Sequence, residues 1–313
     1  MTGLIRTLGG DLAVELAGVT YAHEHLLIDS PVVAETMAHI HLPSVDEAIR
    51  EVQTCIGCGV RTMVDAMPAA SGRDPERLSR ISVLTGVRVV AATGLHTDKY
   101  YGAVEWTRSE TPEQLAQRFI ADIEEGIDYH DYRSDIVERS PFRAGIVKVA
   151  SLSEDLSDRD RRVYEAGAIT SQVTGVPVLT HTEGGLGGLN QVEFLLGLGV
   201  PPGRIALSHT DKVDDLGYHQ AMLETGVSLC YDQGLREPDR TFALVEAMAA
   251  IGHSDQLVMG TDGARRSLWS TLGGSPGLAW LYDAARRRLE PELVGQVFVS
   301  NPARWLTLAH KET

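Results

Sequence analysis

Eight short runs rich in apolar and β-branched residues recur along the chain with helix-like stretches between them, and few folds accept that alternation. The runs are GVTYAHEHLLI (18–28), VRTMVDAM (60–67), VRVVAATGLH (87–96), RAGIVKVAS (143–151), VPVLTHT (176–182), RIALSHT (204–210), GVSLCYD (226–232) and QLVMGTD (256–262). Near-continuous apolar runs suit parallel strands covered on both faces. Start and stop signals frame the stretches between them. They are Ser44 before VDEAIREVQTC, Thr111-Pro112-Glu113, Asp160 before RRVYEAGAITSQVTG with Gly175 as a stop, and Asp239 before RTFALVEAMAAIG, ending at Gly252. Eight strand–helix alternations predict an α/β fold, a (β/α)8 TIM barrel, with a short N-terminal β extension. No internal repeat or Pro/Ser-rich linker divides the 313 residues, so one barrel domain is expected over 1–313. The longest interruption, about 96–142, reads as an elaborated loop between the third and fourth strands.

The first run sets two histidines one residue apart. Side chains alternate faces along a strand, so His23 and His25 aim at one spot and Glu24 at the opposite side. Such residues are either satisfied core histidines or part of a metal site, and the other strands decide. In barrels the functional groups sit at the C-terminal strand ends. There the fourth run carries Lys148, the fifth ends in His181, the sixth in His209 and the eighth in Asp262. Core packing explains such a set poorly, because buried ionisable groups need partners. Imidazole and carboxylate ligands suit zinc, manganese, iron or cobalt, and six candidates exceed one tetrahedral site, which points to two divalent ions. Lys148 is the odd member. Its ammonium would be repelled by two cations, whereas a lysine that has taken up carbon dioxide is an anionic carbamate able to bridge both. The other reading is a lysine paired with a carboxylate.

The ordered series HEH, VKV, THT, SHT and GTD resembles the phosphotriesterase family of the amidohydrolase superfamily, and VSNPARWL (299–306) is similar to that family's closing motif. The resemblance runs from about residue 10 to 308. It implies that His23, His25 and Asp262 hold the more buried ion, and His181 and His209 the more exposed one. Carboxylated Lys148 and a hydroxide would bridge the two. Two cations lower the pKa of a bridging water, so hydroxide exists at neutral pH. Asp262 would accept its proton and pass it to the leaving oxygen. One position departs from the triesterases: the third residue after His209 is Lys212, where they carry an acidic proton relay. That argues against efficient triesterase activity.

The mouth loops bear on the substrate. Arg265, Arg266 and Trp269 follow Asp262, Arg236 follows the seventh run, and Lys99, Tyr100 and Tyr101 follow the third, beside His96. Arginine forks match phosphate or carboxylate oxygens. The other reading is surface arginines paired with acids such as Glu237 and Asp239. The Asp-x-x-Arg-Arg order after the eighth strand resembles family members that hydrolyse phosphorylated sugar lactones. An anionic sugar lactone, such as a pentono-1,4-lactone phosphate, is therefore the expected substrate, with Arg236, Arg265, Arg266, Lys99, Tyr100 and Trp269 as its contacts. The alternatives are a phosphotriesterase-like lactonase acting on acyl-homoserine lactones, an amidase acting on a small N-acyl acid, and a non-catalytic metal-binding barrel.

A net charge of −15 argues against a nucleic-acid or anionic-membrane partner, and no apolar run reaches transmembrane length. No leader with a long apolar region is visible, and Cys55, Cys58 and Cys230 are too few for a disulfide framework, so a cytoplasmic enzyme is expected. Cys55-Ile-Gly-Cys58 reads as buried thiols at a helix end rather than half a zinc site. The Gly-rich EGGLGG (183–188) reads as a tight turn after His181 rather than a phosphate cradle. The resemblance implies a homodimer.

Overall fold

The computed structural model describes residues 3–309. Two short strands, β1 (Leu4–Thr7) and β2 (Gly10–Ala13), form an antiparallel hairpin. Eight parallel strands follow: β3 (Val19–Glu24), β4 (Val60–Asp65), β5 (Arg88–Gly94), β6 (Ala144–Ser151), β7 (Val178–Thr182), β8 (Ile205–Ser208), β9 (Ser228–Tyr231) and β10 (Leu257–Met259). Each predicted run contains one of them, and the predicted barrel with its N-terminal β extension is observed.

The barrel interior takes one or two inward residues from every strand: Ala22, Val64, Val90 with Ala92, Ile146, Leu179, Ala206, Cys230 and Val258. Small and medium side chains fit a tapering interior. Below them Ile5 of the hairpin and Trp305 and Leu306 of the last helix (Asn301–Leu306) seal the floor. The closing VSNPARWL motif is therefore a plug. Outward residues such as Tyr21, Met63, Val89, Val147 and Leu207 meet the helices in a second, larger layer.

The ends of the sheet meet at a seam between β10 and β3. The Asp262 N–H donates to the His23 carbonyl at 3.0 Å, and the Thr261 N–H donates to Glu24 Oε1 at 2.7 Å. Glu24 thus faces away from the two histidines, as strand alternation requires. A Cβ on Gly260 would lie 2.5 Å from backbone atoms of His23, so only glycine permits this approach.

Two helix starts differ from the expected ones. Ser157, not Asp160, caps the helix Asp158–Thr174; Asp160 is the reciprocal partner of a capping box, and its carboxylate accepts from the Ser157 N–H. The helix Pro238–Ala250 begins before Asp239, because proline is well placed at the first helical position. Ser44, Thr111 and Gly175 cap as expected. The long interruption holds two helices, Trp106–Ser109 and Pro112–Glu124, and a loop fixed by buried Arg73, which pairs with Asp122 and Asp131 at 2.7 Å each. Among the described residues no helix is long and apolar enough to cross a membrane.

Candidate active site

Strand alternation delivers part of the mouth directly. Lys148 lies two residues beyond inward Ile146, His181 two beyond Leu179, and Asp232 two beyond Cys230. The other residues need local irregularity. On β3 three steps from Tyr21 to Glu24 match two on β4, so one extra residue is inserted and His23 joins Ala22 on the inner side. His209, three residues beyond inward Ala206, turns inward through left-handed backbone with φ of 66°, and Asp262, four beyond inward Val258, also has a positive φ of 44°. That conformation costs a non-glycine residue roughly 1–2 kcal/mol and is typical of functional positions.

The four histidines and Asp262 line one cavity of about 360 Å³. Ring centroids are 5.2 Å apart for His23 and His25, 5.1 Å for His23 and His209, and 4.5 Å for His181 and His209. Asp262 Oδ1 is 3.5 Å from His25 Nε2. Burial depresses the pKa of His23, His25, His209 and neighbouring His96, and takes His181 down to about 4. The imidazoles are therefore neutral, the form a metal requires.

Asp232 organises two of them. Its carboxylate oxygens lie 2.8 Å from His23 Nδ1 and 2.8 Å from His209 Nδ1. Burial alone would raise its pKa, but the N–H donors of His209 and His23 keep it well below the usual range. Both rings thus donate from Nδ1 and turn Nε2 to the cavity. Sequence reading passed over Asp232, although it ends its run as the other candidates do.

Lys148 is fully buried among neutral partners, 3.2 Å from Ser208 Oγ and 3.4 Å from the Thr180 carbonyl. Among the described residues it has no carboxylate within ion-pair distance, so the salt-bridge reading is not met. Burial pulls its pKa down to about 8, which raises the share of free amine that carboxylation needs.

The donor set fits metal ions. Among the described residues His23 Nε2 and His25 Nδ1 are buried without a hydrogen-bond partner, and ligand atoms of His23, His209 and Asp262 lie within 4.8 Å of one another. Such orphaned atoms are costly unless something pairs with them. Cys230 also lies near His23 and Asp232, but burial raises its pKa and keeps it a thiol.

The expected substrate contacts divide. Lys99, Tyr100, Arg236 and Arg265 line the cavity. Arg236 is braced rather than free, with Nη2 donating to the Asp262 carbonyl at 2.7 Å and 3.3 Å from its carboxylate. Arg266 and Trp269 are not among the lining residues. A 3-10 turn over Arg266–Leu268 carries the chain away from the mouth, so Arg266 donates to the His41 carbonyl. Trp269 is buried, with its indole N–H donating to the Gly263 carbonyl at 2.6 Å. Tyr101 is buried too. Lys212 and Glu183 join the lining; Glu183 Oε2 is 3.2 Å from His181 Nε2 and 3.7 Å from Lys99 Nζ. The EGGLGG segment is a turn, with Gly184, Gly185 and Gly187 all at positive φ. A larger cleft of about 790 Å³ opens at the opposite barrel end, lined by Arg204, Arg304 and Trp305, away from the histidine cluster.

Residues 4–306 match the model of the phosphotriesterase family. A protein of Mycoplasmopsis synoviae named phospho-furanose lactonase is 30% identical over 98% of this chain and 92% of its own. The crystal structure of an amidohydrolase from Mycoplasma synoviae superposes with a TM-score of 0.94 at 28% identity, covering 99% of this chain and 94% of that one. A lactonase from Listeria monocytogenes superposes with a TM-score of 0.89 at 25% identity, covering 98% and 100%.

Proposed function

The chain belongs to the phosphotriesterase family and is a metal-dependent lactonase or hydrolase, and on that premise we propose that it opens the ring of an anionic sugar lactone carrying a phosphate. The observation that carries this reading is the cationic rim: Lys99, Lys212 and Arg265 line the same cavity as the histidine cluster in a protein of net charge −15. A cavity of about 360 Å³ is of the size that holds a small ligand. The name of the Mycoplasmopsis synoviae relative supports the same substrate class.

In this reading His23, His25 and Asp262 would hold one divalent ion, His181 and His209 a second, and a carbamate on Lys148 would join them. Held there, the ions would supply an activated water and a Lewis acid for the carbonyl. Asp232 keeps His23 and His209 in the tautomer that offers Nε2. Lys99, Lys212 and Arg265 take the phosphate, so the lactone carbonyl rests over the histidines. Asp262, inside the cluster, accepts a proton from the attacking water and returns it to the ring oxygen as the C–O bond breaks. Arg236 holds Asp262 in place from behind. Tyr100, with its ring 4.3 Å from that of His96, gives the sugar a flat wall.

A pH-indicator assay on matched pentono-1,4-lactones, with and without a 5-phosphate, tests this reading on metal-supplemented enzyme. Strong preference for the phosphorylated lactone is expected. Equal rates on both would remove the phosphate from the substrate. Activity confined to small N-acyl acids would replace the lactone, with the rim then holding a carboxylate.

A further inference from the structure

Glu183 is an anion placed inside the cationic part of the cavity. It follows β7 directly, its side chain is 43% exposed, and one oxygen, Oε2, reaches both His181 Nε2 at 3.2 Å and Lys99 Nζ at 3.7 Å. Of the rim cations, Lys99 has this carboxylate as a partner, whereas among the described residues Lys212 and Arg265 have no carboxylate within 4.0 Å. The carboxylate therefore stands between the histidine cluster and the rim, where a bound anion would sit.

We propose that Glu183 is the resident anion of this subsite: it pairs with Lys99 in the resting enzyme and gives Lys99 up when the phosphate of a substrate enters. This rests on the reading that the rim accepts a phosphate. Two anions competing for one ammonium weaken each other's hold. Glu183 accordingly lowers affinity for substrate and product alike, and it speeds release of the phosphorylated product. A carboxylate is ionised at neutral pH, so the competition persists there. Its cost to binding is that of a partly exposed ion pair, about 1 kcal/mol at most, or roughly fivefold in affinity.

The test is calorimetric titration of inorganic phosphate into metal-loaded wild type, Glu183→Gln, Lys99→Met and the double variant, with metal content measured on each. Phosphate is expected to bind Glu183→Gln about fivefold tighter than wild type at equal metal content. The gain should vanish in the Lys99→Met background, and kcat and KM on the phosphorylated lactone should both fall in Glu183→Gln. Unchanged or weaker phosphate binding by Glu183→Gln would overturn the proposal. So would a gain that survives loss of Lys99, or the loss of a metal ion from Glu183→Gln, which would make Glu183 a ligand. If phosphate binds none of the four proteins, the phosphate reading of the rim itself fails.

Discussion

Asp232 Oδ2 lies 2.8 Å from His23 Nδ1 across the barrel mouth, between residues 209 positions apart in the chain. Its other oxygen makes the same contact with His209, so one carboxylate orients a ring on β3 and a ring after β8. Asp232→Asn keeps the shape but replaces one acceptor oxygen with a donor, and one ring must then turn or change tautomer. The variant should fold and lose about 10- to 100-fold in metal affinity. A chelator competition assay reads this; wild-type affinity would show that Asp232 only fills space.

Asp262→Asn removes the carboxylate assigned to proton transfer while its backbone N–H still closes the seam to His23. The variant should keep wild-type melting behaviour and lose turnover by about 10²–10⁴-fold. Wild-type kcat in a metal-replete variant would exclude the role.

The two arginines after β10 should behave differently. Arg265 lines the cavity, and Arg265→Ala should raise KM for a phosphorylated lactone about tenfold while leaving the unphosphorylated lactone unaffected. Arg266 faces the His41 carbonyl, so Arg266→Ala should change neither. Steady-state kinetics on both lactones separate the two.

The buried histidines give the metal-free protein a pH signature. His181 has a pKa of about 4 in the folded chain, against an ordinary value of 6.5, because burial disfavours its charged form. Between these values the unfolded chain binds more protons at this site, so its contribution to stability rises with pH and levels off above about 6.5. The difference in melting temperature between chelator-treated wild type and His181→Gln should therefore shift in favour of wild type from pH 4.5 to 6.5. A pH-independent difference would mean that His181 is not held neutral.

Gly260, just past β10, sits against the His23 backbone of β3. A methyl group there meets the His23 backbone at 2.5 Å, and both partners are main chain, so neither can rotate away. Gly260→Ala should cost about 1–3 kcal/mol or more of stability and also lower metal content, since His23 moves with the seam. Thermal denaturation together with metal analysis checks it.

The chain's own periodicity determined the barrel and the direction of its mouth. Apolar runs of strand length alternating with capped helical stretches leave little choice of fold, and the side-chain period of two placed Lys148 and His181 above inward Ile146 and Leu179. Those are short-range properties of a strand, written within a few residues. The tertiary structure decided the rest. The extra residue in β3 that turns His23 inward is visible only against β4. Left-handed backbone at His209 overrides simple alternation. A 3-10 turn sends Arg266 and Trp269 away while Arg265 stays at the cavity. Asp232 and Glu183 read as ordinary acids in the sequence, because their charge acquires meaning from rings and ammonium groups on other strands and loops. Local backbone geometry fixes where a side chain starts, but its partners come from distant segments, and no sequence period encodes those distances.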